Sequence, residues 1–218
     1  MRGLFIFIVC FLMSLPTYAA NNVCEQVART EKLVNLRYIY GTLGFDASKS
    51  EQEISALCTD NAAGCFLSQS GDGTWSVSDK IIKSGNQNCV VPEINIEYDF
   101  SGARIYIMRD GDACRTRAVL RHELQHFTIW KTTREWFLKD LKQSLQQAAV
   151  RLAVLCLPEK HCATDGMAYL SAVVQKVEQR WKNVERRNQD LLDNVDHSAT
   201  QQVNYPVCAP YSLKVGLF

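Results

Sequence analysis

His122, Glu123 and His126 stand in the order H-E-x-x-H inside the segment LRHELQHFTIW, Leu120 to Trp130. On a helix, residues four apart share a face, so both imidazoles can reach a single ion. Glu123 lies about 100° around the helix from His122. It can reach a water on that ion but is poorly placed to ligate beside both histidines. This matches the division of labour in zinc hydrolases. Two histidines bind, the zinc lowers the pKa of its water to about 7 and polarises the scissile carbonyl, and the glutamate takes the proton. A catalytic zinc ordinarily has three protein ligands, so one must come from elsewhere in the chain.

The metzincin continuation, H-E-x-x-H-x-x-G-x-x-H, is excluded, because Ile129 and Thr132 occupy its glycine and last histidine positions. The remaining donors are His161, His197 and the carboxylates Glu135, Asp165, Glu178, Glu185, Asp193 and Asp196. Glu135 is displaced by over ~13 Å along a continuous helix, so it needs a helix break before it can ligate. His197 is the strongest imidazole candidate. Asp193, four residues before it, is placed to orient a ligating histidine. Projected from Val184, both lie nearly opposite the apolar stripe of their helix, and a solvated helix end is the competing reading. Glu178, Glu185 and Asp193 itself remain open as the third ligand.

The elements that must hold these residues divide the chain in two. In the first half, Val34 to Phe45 is aromatic and β-branched and reads as a strand closing on Gly41 and Gly44. Ser48 or Ser50 can cap a short helix, with Glu53 placed for a capping box behind Ser50. Alternation through Trp75, Val77 and Ile81, then Ile94, Ile96 and Tyr98, then Ile105 and Ile107, adds further strands. The last of these, ARIYIM, is expected as an edge strand beside the ligand helix.

From Ala113 to Leu157 there is neither glycine nor proline. Val119, Leu120, Leu124 and Phe127 are expected to anchor the ligand helix in a core. Phe137, Leu141, Leu145, Ala148, Leu152 and Leu155 step by three and four, and Pro158 ends the run. A second helix is expected from near Asp165, with Leu170, Val173, Val177, Trp181, Val184, Leu191 and Val195 as its stripe. The predicted fold is α+β and zincin-like. A small, mainly antiparallel sheet leads into an active-site helix and a long antiparallel helical hairpin, in one domain over residues 21–218.

Residues 1–20, MRGLFIFIVCFLMSLPTYAA, have a basic start, an apolar run too short for a comfortable span, and small residues near Ala19 and Ala20. They read as a signal peptide, leaving no membrane anchor after cleavage and a periplasmic or secreted protein. Eight cysteines remain after Cys10 leaves with the signal. That even count suggests up to four disulfides, with Cys156–Cys162 the best single pairing. The chain's formal net charge is +1, which gives no reason to expect a nucleic-acid partner.

The chain resembles a bacterial family of exported, predicted zinc-dependent proteases, domain of unknown function 922. The likeness runs from about Leu36 to Gln202, through YIYGTLGFDASKSEQEISAL, GTWSVSDKI, NCVVPEINIEYDF, LRHELQHF and LLDNVDHS. Ser198 stands where that family usually has glycine, and Val195 where it usually has threonine. The resemblance implies His122 and His126 as zinc ligands, Glu123 as general base, His197 as a further ligand and Asp193 functional beside it. The expected activity is hydrolysis of protein or peptide substrates by an exported zinc metalloendopeptidase. A catalytically silent, zinc-stabilised binding protein is the reading from another class, and a zinc hydrolase of a cell-wall amide is a third.

Overall fold

The computed structural model describes residues 23–58, 64–68, 72–109, 113–155 and 162–202, with the side chains of residues 72, 115, 155, 162 and 195–202 left undescribed. The expected signal peptide, Cys156 and His161 lie outside the described residues, and so does the His197 side chain. The elements are helix α1 (residues 23–30), strands β1 (Val34–Ile39) and β2 (Gly44–Lys49), helix α2 (Glu51–Leu57), strands β3 (Gly64–Leu67), β4 (Asp72–Ser84), β5 (Gln87–Asp99) and β6 (Arg104–Met108), and helices α3 (Ala113–Leu155) and α4 (Cys162–Gln202). The fold is α+β, as the sequence suggests. Where one sheet was expected there are two of three strands each, ordered β1-β5-β4 and β2-β6-β3. No described helix is long and apolar enough to cross a membrane.

The chain gathers into two compact units. The first holds the described residues up to Tyr38, Gly73–Tyr98 and Trp136–Arg180. Strands β4 and β5 meet at a two-residue turn opened by Gly85, whose φ of 59° suits glycine. Central strand β5 buries Cys89, Val91, Ile94, Ile96 and Tyr98. The predicted α3 stripe of Phe137, Leu141, Leu145, Ala148 and Leu152 is buried, as are Leu170 and Val177 of α4. Cys24 of α1 is bonded to Cys89 of β5. Gln146 of α3 donates to the Glu31 carbonyl at 2.9 Å and accepts the Leu33 N–H at 3.1 Å. It thereby satisfies backbone groups that leave α1 and enter β1. Asp79 accepts the Ala163 N–H at 2.7 Å and so occupies an orphan amide in the first turn of α4.

The second unit holds Ile39–Asp72, Asp99–Glu135 and the described residues from Trp181 on. β6 is the middle strand of its sheet and not an edge strand. It runs parallel to β2, with Phe45 opposite Ile105, and antiparallel to β3, with Phe66 opposite Ile105. Ser50 caps α2 in a full capping box: its N–H donates to Glu53 Oε2 at 2.7 Å, and the Glu53 N–H donates to its Oγ at 3.3 Å. The Cys58–Cys65 disulfide ties the end of α2 to β3, and Cys114 is also disulfide-bonded.

β3 lies directly on α3. A Cβ at Gly64 would come within 2.4 Å of Val119 Cγ1 and 2.8 Å of the Tyr106 carbonyl oxygen. The interior is aromatic. Trp130 meets Phe66, Phe100 and Tyr40 edge-on and stacks on Phe127 at 5.6 Å.

Two apolar expectations fail in this unit. Leu124 and Leu191 are exposed, because the seam between α3 and α4 runs along other residues. α3 is also unbroken from Ala113 to Leu155, so Glu135 stays over ~13 Å further along its axis than His126. That helix is both the expected ligand helix and the first arm of the hairpin.

Candidate metal site

With no glycine or proline to interrupt it, α3 carries His122 and His126 through one regular turn. Their rings sit 4.5 Å apart, nearly perpendicular. Both Nε2 atoms aim at the same place and lie 2.8 Å from each other. α4 runs antiparallel to α3 here, and Asp193 Oδ1 is 3.0 Å from His126 Nε2 and 3.4 Å from His122 Nε2. The three residues form a group that could hold a metal ion. A tetrahedral ion with bonds of about 2.0–2.1 Å spaces its ligand atoms about 3.3 Å apart, and the observed separations bracket that value. Two imidazoles and one carboxylate are a donor set suited to zinc and to several other divalent ions. His126 is the more enclosed histidine and Asp193 the most open of the three, with 13% and 43% of their side chains exposed. The group therefore has a protected and a solvent-facing side.

Glu123, next to His122 on α3, is only 5% exposed. The backbone N–H of Phe66 in β3 faces its carboxylate and favours the ionised form. Burial lifts its pKa above the ordinary glutamate range. The imidazoles of His126 and His122 and the Phe66 amide pull the other way, and the Asp193 charge adds a small push upward. The Phe66 ring lies 5.8 Å from both Phe127 and Trp130. The strand that faces the carboxylate is thus itself held by the aromatic interior.

Of the predicted site residues, the structure brings His122, His126 and Asp193 together and places Glu123 beside them. Asp193, expected either to support His197 or to be the third ligand itself, stands at ligand distance. The other carboxylates left open are engaged elsewhere. Glu178 accepts the Tyr98 hydroxyl at 3.1 Å, and burial together with this carboxylate pushes the phenol pKa upward. Glu185 pairs with buried Arg134 at 3.0 Å. The Arg134 guanidinium also lies over the rings of Trp130 and Trp181, at 4.3 and 4.8 Å.

One contact in the site was not expected from the sequence. Gln189 Oε1 lies 2.5 Å from His126 Nδ1, and Gln189 Nε2 donates to the His126 carbonyl at 3.3 Å. The available signal was its position four residues before Asp193, on the same face of α4. Comparison of the chain with protein-family models, with curated proteins and with solved structures gives no match.

Proposed function

We propose that this chain is an exported, zincin-like zinc metalloendopeptidase, with the metal on His122, His126 and Asp193 and Glu123 as its general base. The observation that carries this reading is the convergence of two imidazole nitrogens and a carboxylate oxygen within 2.8–3.4 Å, beside a buried glutamate. The resemblance of Leu36 to Gln202 to domain of unknown function 922 supports it. The signal-like start and the disulfides Cys24–Cys89 and Cys58–Cys65 support export. His197, one turn beyond Asp193 on α4, is retained as the further ligand that the resemblance implies.

Zinc bound there would polarise a peptide carbonyl and acidify a water. The residues of the chain supply the rest. His122 and His126 fix the ion to one face of a rigid helix. Glu123 takes the proton of the attacking water and returns it to the departing amine. Its raised pKa suits both halves of that transfer, since a carboxylate too weak as a base could not accept the proton. The Phe66 N–H faces the carboxylate and favours its ionised form between the two steps.

The test compares the parent with Glu123→Gln. Zinc content measured by elemental analysis should be the same in both. Cleavage of casein or a peptide library should fall by roughly 100- to 10,000-fold in the variant. Equal activity in both would remove Glu123 from the mechanism.

One observation favours the zinc-stabilised binding protein as a second reading. Glu123 is almost fully buried, with a backbone amide facing its carboxylate, as a purely structural glutamate would be. That reading predicts one zinc per chain and no turnover of any peptide by the parent.

A further inference from the structure

We infer that Gln189 is the positioning residue that fixes His126 in its Nδ1–H form and so presents the Nε2 lone pair to the metal. This inference rests on the metal reading above. It follows from the two contacts Gln189 makes with the same histidine. The His126 carbonyl oxygen is an acceptor only, and the Gln189 side-chain nitrogen lies 3.3 Å from it. The amide must therefore turn its NH2 toward that carbonyl, because the flipped amide would set two oxygens against each other. The orientation is thus decided by the main chain of α3. It sends Gln189 Oε1 to the other contact, 2.5 Å from His126 Nδ1. An amide oxygen cannot donate, so Nδ1 carries the hydrogen.

The consequence falls on the opposite side of the ring. With its hydrogen on Nδ1, neutral His126 has a bare lone pair on Nε2. That atom faces Asp193 Oδ1 at 3.0 Å and His122 Nε2 at 2.8 Å. A lone pair and a carboxylate oxygen at this separation repel unless a hydrogen or a metal ion lies between them. The neutral form with its hydrogen on Nε2 and Nδ1 bare is the one Gln189 excludes. The Nε2 lone pair of the form it favours is therefore available to a metal ion. Gln189 also stands one helical turn before Asp193. A single side chain thus sets the tautomer of one ligand and anchors, on the main chain of α3, the turn of α4 that presents another. Partners of this kind usually contribute 10- to 100-fold to metal affinity.

The test uses the full chain stripped of metal by chelation, together with Gln189→Met, which keeps the bulk and loses both contacts, and Gln189→Glu, which keeps an acceptor for Nδ1–H. Nitrogen-15 NMR of the histidine rings at pH 8 reads the tautomer, and competition with a chromophoric chelator reads zinc affinity. In the parent, His126 should be in the Nδ1–H form. Gln189→Met should lose that preference and bind zinc roughly 10- to 100-fold more weakly, with its thermal midpoint without metal close to the parent's. Gln189→Glu should restore the Nδ1–H form, with an affinity between those of the other two because its second oxygen faces the His126 carbonyl. The inference is overturned by a parent His126 that carries its hydrogen on Nε2, by zinc affinity in Gln189→Met equal to the parent's, or by a Gln189→Glu variant that does not restore the Nδ1–H form. A parent that takes up no zinc removes the metal reading instead, and the tautomer measurement on the same sample still decides the role of Gln189.

Discussion

Glu123 is a carboxylate kept where a neutral group would be more stable, and its stability signature follows from that. Its pKa in the folded chain is raised, chiefly by burial. In the unfolded chain it returns to about 4.3. Below that value it is protonated in both states. As pH rises past it, the unfolded chain ionises freely while the folded chain resists, so the folded state loses stability relative to a neutral side chain. Metal-free Glu123→Gln should therefore melt above the parent at pH 7, and the gap should close near pH 4. A variant that melts below the parent at pH 7 would show that the Phe66 amide outweighs desolvation.

Asp193 admits a second test at the same scale. Asp193→Ala should weaken zinc binding by more than the roughly 10- to 100-fold typical of a residue that only supports a ligand. A loss of that size confined to His197→Ala would return Asp193 to a supporting role. Spacing alone made His122, Glu123 and His126 legible. Asp193 was legible as a neighbour of His197 and as one of several carboxylates left open for the third ligand. A projection from Val184 put it on the wrong side of the helix, whereas the real seam climbs α4 in steps of four through Trp181, Glu185, Gln189 and Asp193. Steps of four drift about 40° each around the helix, so the seam leaves the face that Val184 marks.

At the scale of elements, that seam is a ladder. Descending α3 from Arg134 to His126 and His122 meets ascending α4 at Glu185, Gln189 and Asp193. Periodicity revealed both helices and the buried stripe of α3, because apolar spacing is a local property. It missed β3, since four residues are too few to show alternation; β6, expected as an edge by analogy with zinc-peptidase folds, is central because β3 pairs with it. β3 nevertheless supplies the amide that faces Glu123, and Gly64 lets it lie against Val119. Gly64→Ala should push the strand off α3. We expect a loss of about 1–3 kcal/mol in urea unfolding, typical of overpacking, together with reduced peptide cleavage at unchanged zinc content. Gly85→Ala is the control. Its φ of 59° makes alanine unfavourable by about 1–2 kcal/mol, but nothing lies within 4 Å of the added Cβ. That variant should lose stability and keep its activity per folded molecule. If Gly64→Ala behaved the same way, β3 would have no part in placing Glu123.

For the whole molecule, local sequence signals gave the composition of the fold but not its pairing. The parallel match of β2 to β6 joins residues some sixty positions apart, and no alternation pattern encodes such a partner. The cysteines were legible as a framework for the same reason that their connectivity was not: an even count follows from the compartment, whereas pairing follows from the tertiary fold. The structure resolves part of that choice into one long loop and one short one, with consequences that can be separated. Cys24–Cys89 spans 65 residues and Cys58–Cys65 only 7. If each acts mainly by restricting the unfolded chain, the long loop contributes about 4 kcal/mol and the short one about 2.5 kcal/mol. Cys24→Ser with Cys89→Ser should therefore lower the urea midpoint more than Cys58→Ser with Cys65→Ser. The short bridge, which ties β3 to α2 beside Glu123, should instead matter more for catalysis than for stability. A reversed order in urea would mean that strain or packing at the bridges outweighs loop closure. Unchanged peptide cleavage after loss of Cys58–Cys65 would mean that the aromatic contacts of Phe66 alone suffice to keep β3 in position.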